Sequence, residues 1–157
     1  MAEITKEELD ERVAILRRFR SLLEQQRNKF QEYLAVLEKQ QDSINSENST
    51  SLLAHTELEQ QVVKNIENLQ KVIVPMGKMY DAVTNGSSED AYIKNIKEEL
   101  NDLQNKVLVQ NQKNRDLLRV HISKLKTQVE GFKNPYKNVR SVYASKATVG
   151  TMVEIQV

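Results

Sequence analysis

The sequence predicts an all-α protein: an antiparallel three-helix coiled-coil bundle that forms an elongated rod with a flexible C-terminal tail. The composition is that of long amphipathic helices, with 29% charged and 5% aromatic residues, no Trp, 4 Gly and 2 Pro. Apolar residues recur at steps of three and four, and clusters of turn-forming residues divide this pattern into three segments. We therefore expect a bundle over residues 1–132, with helices at about 5–45, 50–84 and 88–132, and a tail over 133–157.

The first helix begins at a capping box, Thr5 followed three residues later by Glu8, in which each side chain satisfies a free backbone N–H. Its apolar residues stand seven apart at Leu9, Leu16, Leu23, Phe30, Leu37 and Ile44. Arg20, Arg27 and Gln41 occupy flanking positions that a dimeric zipper would fill with apolar side chains. We therefore expect a broad face that packs on two other helices of the same chain.

The second helix follows a segment, residues 43–51, in which Ser, Asn and Thr favour caps and turns. Its stripe consists of Val62, Ile66, Leu69, Ile73, Met76, Tyr80 and Val83. Because the stripe continues in phase through Pro75, we expect one helix with a kink near residues 71–77. Asn85–Ser88, an Asn-Gly turn with a serine cap, predicts the start of the third helix.

The third helix carries the longest seam, formed by Ile93, Ile96, Leu100, Leu103 and Val107. Continued, that seam meets Gln110, Asn114, His121 and Lys124, so we expect it to fail at the amide-rich residues 111–114. A second stripe begins eleven residues after Val107 and is predicted to form a second apolar surface: Leu118, Ile122, Leu125, Val129 and Phe132. Two interpretations stay open for this stripe. It packs on the first helix, or it stays exposed as a groove for an amphipathic client helix.

Composition and motifs exclude several classes of function. The net charge of +1, from 23 basic and 22 acidic residues, gives no field suited to nucleic acid or an anionic membrane. Nowhere do apolar residues run long enough for a spanning helix. The absence of Cys and of a signal peptide suits a cytoplasmic protein.

Catalytic motifs are equally absent, since the chain has no phosphate-binding loop, nucleophile elbow or paired-histidine zinc motif. His55 and Glu59 stand four apart on one helix face but lack the third ligand of a metal site. The acidic side chains are interpreted as solvated faces. We therefore expect no enzyme activity, no cofactor, no metal and no small-molecule substrate.

One segment carries a family resemblance. NQKNRDLL, Asn111 to Leu118, resembles the paired-asparagine NQxN segment and leucine pair in the last long helix of the FlgN family of flagellar type III export chaperones. The matching motif residues are Asn111, Gln112, Asn114 and Leu117. LLEQQRNKFQEYL, at residues 22–34, is similar to the opening helix of such chaperones, and the resemblance covers nearly the whole chain.

The resemblance implies a cytoplasmic protein that holds the amphipathic C-terminal helices of hook-filament junction proteins and delivers them to the cytoplasmic domain of the flagellar export gate. The client residues it implies are Leu118, Ile122, Leu125, Val129 and Phe132. A tail tyrosine would dock on the gate, either Tyr136 or Tyr143, and spacing does not decide between them. The alternative is a coiled-coil structural or tethering protein whose seam is internal or homodimeric.

Overall fold

The structure, a computed structural model, describes residues 4–84 and 90–131. It consists of three α-helices, α1 (Lys6–Asn45), α2 (Ser49–Thr84) and α3 (Ala91–Gly131). These two ranges contain no strand. The predicted all-α class is therefore confirmed, whereas the predicted tail at residues 133–157 lies outside the described residues.

The chain divides into two compact units, Met1–Val120 and His121–Val157. The first unit contains α1, α2 and α3 up to Val120. In the second unit the described residues, 121–131, form the last turns of α3.

Side-chain caps fix the start of α1 and the start of α2. The Thr5 hydroxyl accepts the Glu8 N–H at 3.2 Å, and the Glu8 carboxylate accepts the Thr5 N–H at 3.3 Å, which confirms the predicted capping box. After α1, the chain reverses through Glu47, whose φ of 56° is the left-handed conformation that ends many helices. The Asn48 side chain then accepts the Ser51 N–H at 3.1 Å and caps α2.

The cap of α3 is Asp90 rather than the serine that the Asn-Gly turn suggested. Its carboxylate accepts the N–H groups of Tyr92 at 2.8 Å and Ile93 at 3.3 Å. Its own N–H donates to the Tyr80 hydroxyl at 3.0 Å, so the same residue links the start of α3 to α2. The expected serine caps, Ser87 and Ser88, lie outside the described residues.

We expect Asp90→Ala to lower the free energy of unfolding by about 1 kcal/mol, the usual effect of removing an N-cap oxygen. Asp90→Asn is the matched control, because it keeps a cap oxygen but loses the ion pair with Arg20, whose closest atoms lie 3.8 Å apart. Urea unfolding followed by circular dichroism measures both variants. Equal losses for Ala and Asn would mean that the charge, not the cap, stabilises the start of α3.

Two clusters of buried apolar side chains form the core of the first unit. One consists of Phe19, Leu22, Leu23, Ile73, Met76, Tyr80, Ile93, Ile96 and Leu100. The other consists of Tyr33, Leu37, Val62 and Val107. The predicted stripes of all three helices therefore face this core, although Leu9 at the start of α1 is 52% exposed.

α2 continues through Pro75 without a break, as predicted, and packs closely on α1 just beyond it. The Phe19 ring lies against Gly77, since a Cβ there would be 3.6 Å from two ring carbons. The same ring packs on Tyr80 with the two ring centroids 5.0 Å apart. The kink near residues 71–77 stays a prediction.

The polar residues on the face of α1 contact α3. The Arg27 guanidinium is 3.2 Å from the Glu99 carboxylate, and the Arg20 guanidinium carbon lies 4.1 Å from the centroid of the Tyr92 ring. The Gln41 side-chain oxygen accepts a hydrogen bond from the Gln110 amide of α3 at 2.7 Å. Positions that a zipper would fill with apolar residues thus make polar contacts within this chain.

Candidate functional site

The amide-rich segment of α3 is part of the core. Asn114 is only 5% exposed, and its Nδ2 donates to the backbone carbonyl of Leu37 in α1 at 2.8 Å. The buried apolar residues of α3 thus end at Val107, as expected, but the buried face continues to Asn114. Two turns of helix separate Asn114 from the buried Val107, so the asparagine lies on the same face and replaces an apolar contact by a hydrogen bond.

Asn114 belongs to a group of hydrogen-bonded side chains that we call the polar layer: Tyr33, Gln40, Glu59, Gln110 and Asn114. The Glu59 carboxylate, on α2, accepts hydrogen bonds from the Tyr33 hydroxyl at 3.2 Å and from the Gln40 amide. The Gln40 Oε1 lies 3.5 Å from the Asn114 Nδ2. The layer thus joins all three helices.

Gln110 extends the layer toward the surface. Its amide donates both to the Asn114 side-chain oxygen at 2.9 Å and to the Gln41 side-chain oxygen at 2.7 Å. Buried polar groups cost free energy when they lack partners, so sliding one helix past another would break these bonds without replacing them. The polar layer therefore favours one register of the three helices, as buried polar residues do in coiled coils.

Glu59 departs from the expectation that acidic side chains lie on solvated faces. It is 4% exposed, because it stands three residues before the buried Val62 on the inner face of α2. Its helix neighbour His55 is half-buried. Within residues 4–84 and 90–131, no three His, Asp or Glu side chains converge as a metal site would require.

The Tyr33 hydroxyl is less acidic than a free phenol because it is buried beside Glu59. Burial raises the pKa of the Tyr33 hydroxyl from 10.0 to about 12, and the negative charge of Glu59 and its hydrogen bond act in the same direction. The charge of Arg115 opposes this shift. Because the pKa is raised in the folded state, the neutral phenol stabilises the fold below about pH 10, and this stabilisation is lost as the pH rises toward 12.

We expect the difference in unfolding free energy between the natural protein and Tyr33→Phe to be constant below about pH 10 and to shrink from pH 10 toward pH 12. The two proteins share every other titratable group, so those contributions cancel in the difference. Urea unfolding across this range measures it. Parallel stability curves would mean that Tyr33 ionises equally in the folded and unfolded chains.

The second stripe of α3 becomes more exposed along its length. In the first unit Leu118 is half-buried. In the second unit Ile122 is half-buried, whereas Leu125 is 55% exposed and Val129 is 69% exposed. Phe132 lies outside the described residues.

Within the first unit, the second stripe begins on the same helix face as the first. Val107 and Leu118 stand eleven residues apart in a continuous helix, which is three full turns plus about 20°. In the first unit this face is therefore buried at Val107, polar and buried at Asn114, and half-buried at Leu118. The second apolar surface over Ile122, Leu125, Val129 and Phe132 stays a prediction.

The residues of the NQKN motif occupy different environments. Asn111 and Leu117 are half-buried, and the exposed Gln112 donates to the Asp116 carboxylate at 3.0 Å. Only Asn114 reaches the core. The two tail tyrosines predicted to dock on the export gate, Tyr136 and Tyr143, lie outside the described residues.

Sequence reasoning missed the buried polar side chains Gln26, Gln40, Ser43 and Glu59. Their spacing held a usable signal, because Gln26 follows Leu23 by three residues and Gln40 follows Leu37 by three. Position on the helix face, rather than residue type, would have placed them in the core.

The described residues define an all-α protein whose three helices share an apolar core and a buried polar layer. None of these helices combines the length and apolarity that crossing a membrane requires. The chain is 36% identical over 132 residues to an uncharacterised protein of Treponema pallidum (strain Nichols), with 84% of each chain covered, and it belongs to that protein's family. No family model matches the chain. No solved structure matches it.

Proposed function

We propose that the protein is a cytoplasmic chaperone of flagellar type III export that binds the amphipathic C-terminal helices of hook-filament junction proteins and delivers them to the export gate. The observation that carries the proposal is the exposure of Leu125 and Val129, at 55% and 69%, in the second unit. An exposed apolar stripe with anchors three and four residues apart suits an amphipathic partner helix. The resemblance of residues 111–118 to the FlgN motif supplies the class of client.

The arrangement of the helices in the first unit supports this proposal. Gln26 of α1 pairs with Gln70 of α2, and Tyr33 pairs with Glu59, so α1 and α2 run in opposite directions. Arg27 of α1 pairs with Glu99 of α3, and Leu37 pairs with Asn114, so α1 and α3 run in the same direction. We propose on these pairs that the helices form an antiparallel coiled-coil bundle, in which the polar layer favours one register.

Co-purification separates the proposed chaperone from the alternative, a structural or tethering coiled coil. The tagged full chain is mixed with the C-terminal helices of the junction proteins, and the mass of the complex is measured by light scattering. A chaperone gives a stoichiometric complex with these helices and none with a scrambled-sequence peptide of equal composition. Equal retention of both peptides, or of neither, contradicts the proposed function.

We expect deletion of residues 134–157 to abolish association with the cytoplasmic domain of the gate while leaving the unfolding transition and client affinity nearly unchanged. The reason is that each tail tyrosine can insert a ring and offer one hydroxyl at a partner surface. Tyr136→Ala or Tyr143→Ala should reproduce part of the loss, and the matching Phe variants separate ring from hydroxyl. Pull-down with the isolated gate domain measures association. Docking of the truncated chain at full strength would contradict this role.

A further inference from the structure

One side of α3 in the first unit forms a largely apolar surface that the chaperone proposal does not use. We call it the outer face. Its residues are Val109, Gln112, Lys113, Asp116, Leu117 and Val120. They line an open groove of about 470 Å³. Val109 is 70% exposed and Val120 is 53% exposed, on the side of α3 that points away from the buried Asn114.

The outer face is complementary to itself. When two copies of α3 are laid antiparallel about a centre between Asn114 and Arg115, residues equally far from that centre meet. Val109 then meets Val120 of the other copy, Lys113 meets Asp116, and Gln112 meets Leu117. Every member of the face is thus matched by another member, as an isologous two-fold interface requires.

The charges favour this direction over the parallel one. In a parallel pair about a two-fold axis, Lys113 would meet Lys113 and Asp116 would meet Asp116, so that like charges face each other. In the antiparallel pair each lysine meets an aspartate. Asp116 also lies 3.7 Å from Arg119 in its own chain, but both side chains are at least 60% exposed, and such surface pairs are weak enough to rearrange.

We propose that the outer face binds a second copy of this chain, giving an antiparallel two-fold dimer through α3. The contact involves six residues of one helix, whereas stable interfaces typically have about 20 to 30 residues on each side. We therefore expect a weak dimer. The proposal is independent of the client stripe, and its tests use the chain alone.

A charge exchange tests the pairing. Sedimentation equilibrium of the full chain, up to about millimolar concentration, gives the dissociation constant of the dimer. Lys113→Glu or Asp116→Lys alone should raise this constant by about tenfold, because each places like charges in contact twice per dimer. The double variant Lys113→Glu/Asp116→Lys restores opposite charges in the same geometry and should return the constant to within about threefold of the natural value.

A cross-linking experiment tests the register, and the chain offers a clean background because it contains no Cys. Val109→Cys and Val120→Cys are prepared separately and then mixed under mild oxidation. Antiparallel pairing gives the mixed dimer well ahead of either homodimer. Leu108→Cys mixed with Val120→Cys is the matched control, because Leu108 is 66% exposed but lies outside the outer face.

Three results overturn the proposal. The first is a chain that stays monomeric throughout the concentration range. The second is a dissociation constant that neither single charge change alters. The third is homodimer cross-links that form as fast as the mixed cross-link. Circular dichroism of each variant confirms that the helices are intact before association is compared.

Discussion

Leu37→Ala is expected to lower the free energy of unfolding by about 2 to 5 kcal/mol, the range for emptying a well-packed site in a core. Leu37 is fully buried in the cluster formed with Tyr33, Val62 and Val107. Its backbone carbonyl also receives the Asn114 amide, and the substitution leaves that carbonyl in place. The loss therefore measures packing, with the polar layer unchanged in composition.

The matched control is Leu53→Ala on α2, because Leu53 is 63% exposed and Ala is as good a helix former as Leu. We expect this change to alter stability by no more than about 0.5 kcal/mol. Urea unfolding of both variants, with the slope against denaturant compared to detect loss of two-state behaviour, gives the difference. Similar losses at the two positions would contradict the burial of Leu37 on which the second cluster depends.

Apolar spacing was sufficient to predict three helices and the inner face of each. Leu23, Leu37 and Ile44 recur at multiples of seven, and all three are buried. Such repeats are informative because a helix returns to nearly the same face every seven residues. The capping box at Thr5 was predictable for a related reason, since its two partners lie within one turn and depend on no distant contact.

The polar layer could not be predicted from residue types alone. Glu59 and Asn114 are each unfavourable in a core, and their partners Tyr33, Gln40 and Leu37 come from another helix. Burial becomes acceptable only when these hydrogen bonds form together, a tertiary property that helix spacing does not contain. Asp90 is a second example. It caps α3 through its carboxylate, but its backbone N–H also donates to the Tyr80 hydroxyl of α2, a contact between helices that local sequence does not reveal.

The sequence did not decide whether the second stripe of α3 packs on the first helix or stays exposed, and the reason is physical. Apolar spacing places Leu118, Ile122, Leu125 and Val129 on one face but does not say whether another helix covers each position. The structure gives half-burial for the first two residues and exposure for the last two. Exposure makes substitution of Leu125 and Val129 informative, because a change there can alter binding without emptying a core.

Replacing Leu125 and Val129 by Asp together is expected to reduce affinity for the junction-protein helices by at least about a hundredfold. Each leucine or valine buried by a partner contributes roughly 1.5 to 3 kcal/mol, and 1.4 kcal/mol corresponds to a factor of ten in affinity. The unfolding free energy should change by less than about 1 kcal/mol, since substitutions at exposed sites are individually small. Isothermal titration with the client helix and urea unfolding give the two quantities.

The decisive comparison is Leu53→Asp/Leu108→Asp, a double variant with the same change in charge at residues that are 63% and 66% exposed but lie outside the stripe. It should bind the client helix as tightly as the natural chain does, because added negative charge alone is screened within about 10 Å at 0.1 M salt. Equal loss of affinity in both double variants would attribute the effect to charge rather than to the stripe. Unfolding of the Leu125→Asp/Val129→Asp chain would instead mean that the stripe packs within the protein, and a structural coiled coil would then be the better account of the molecule.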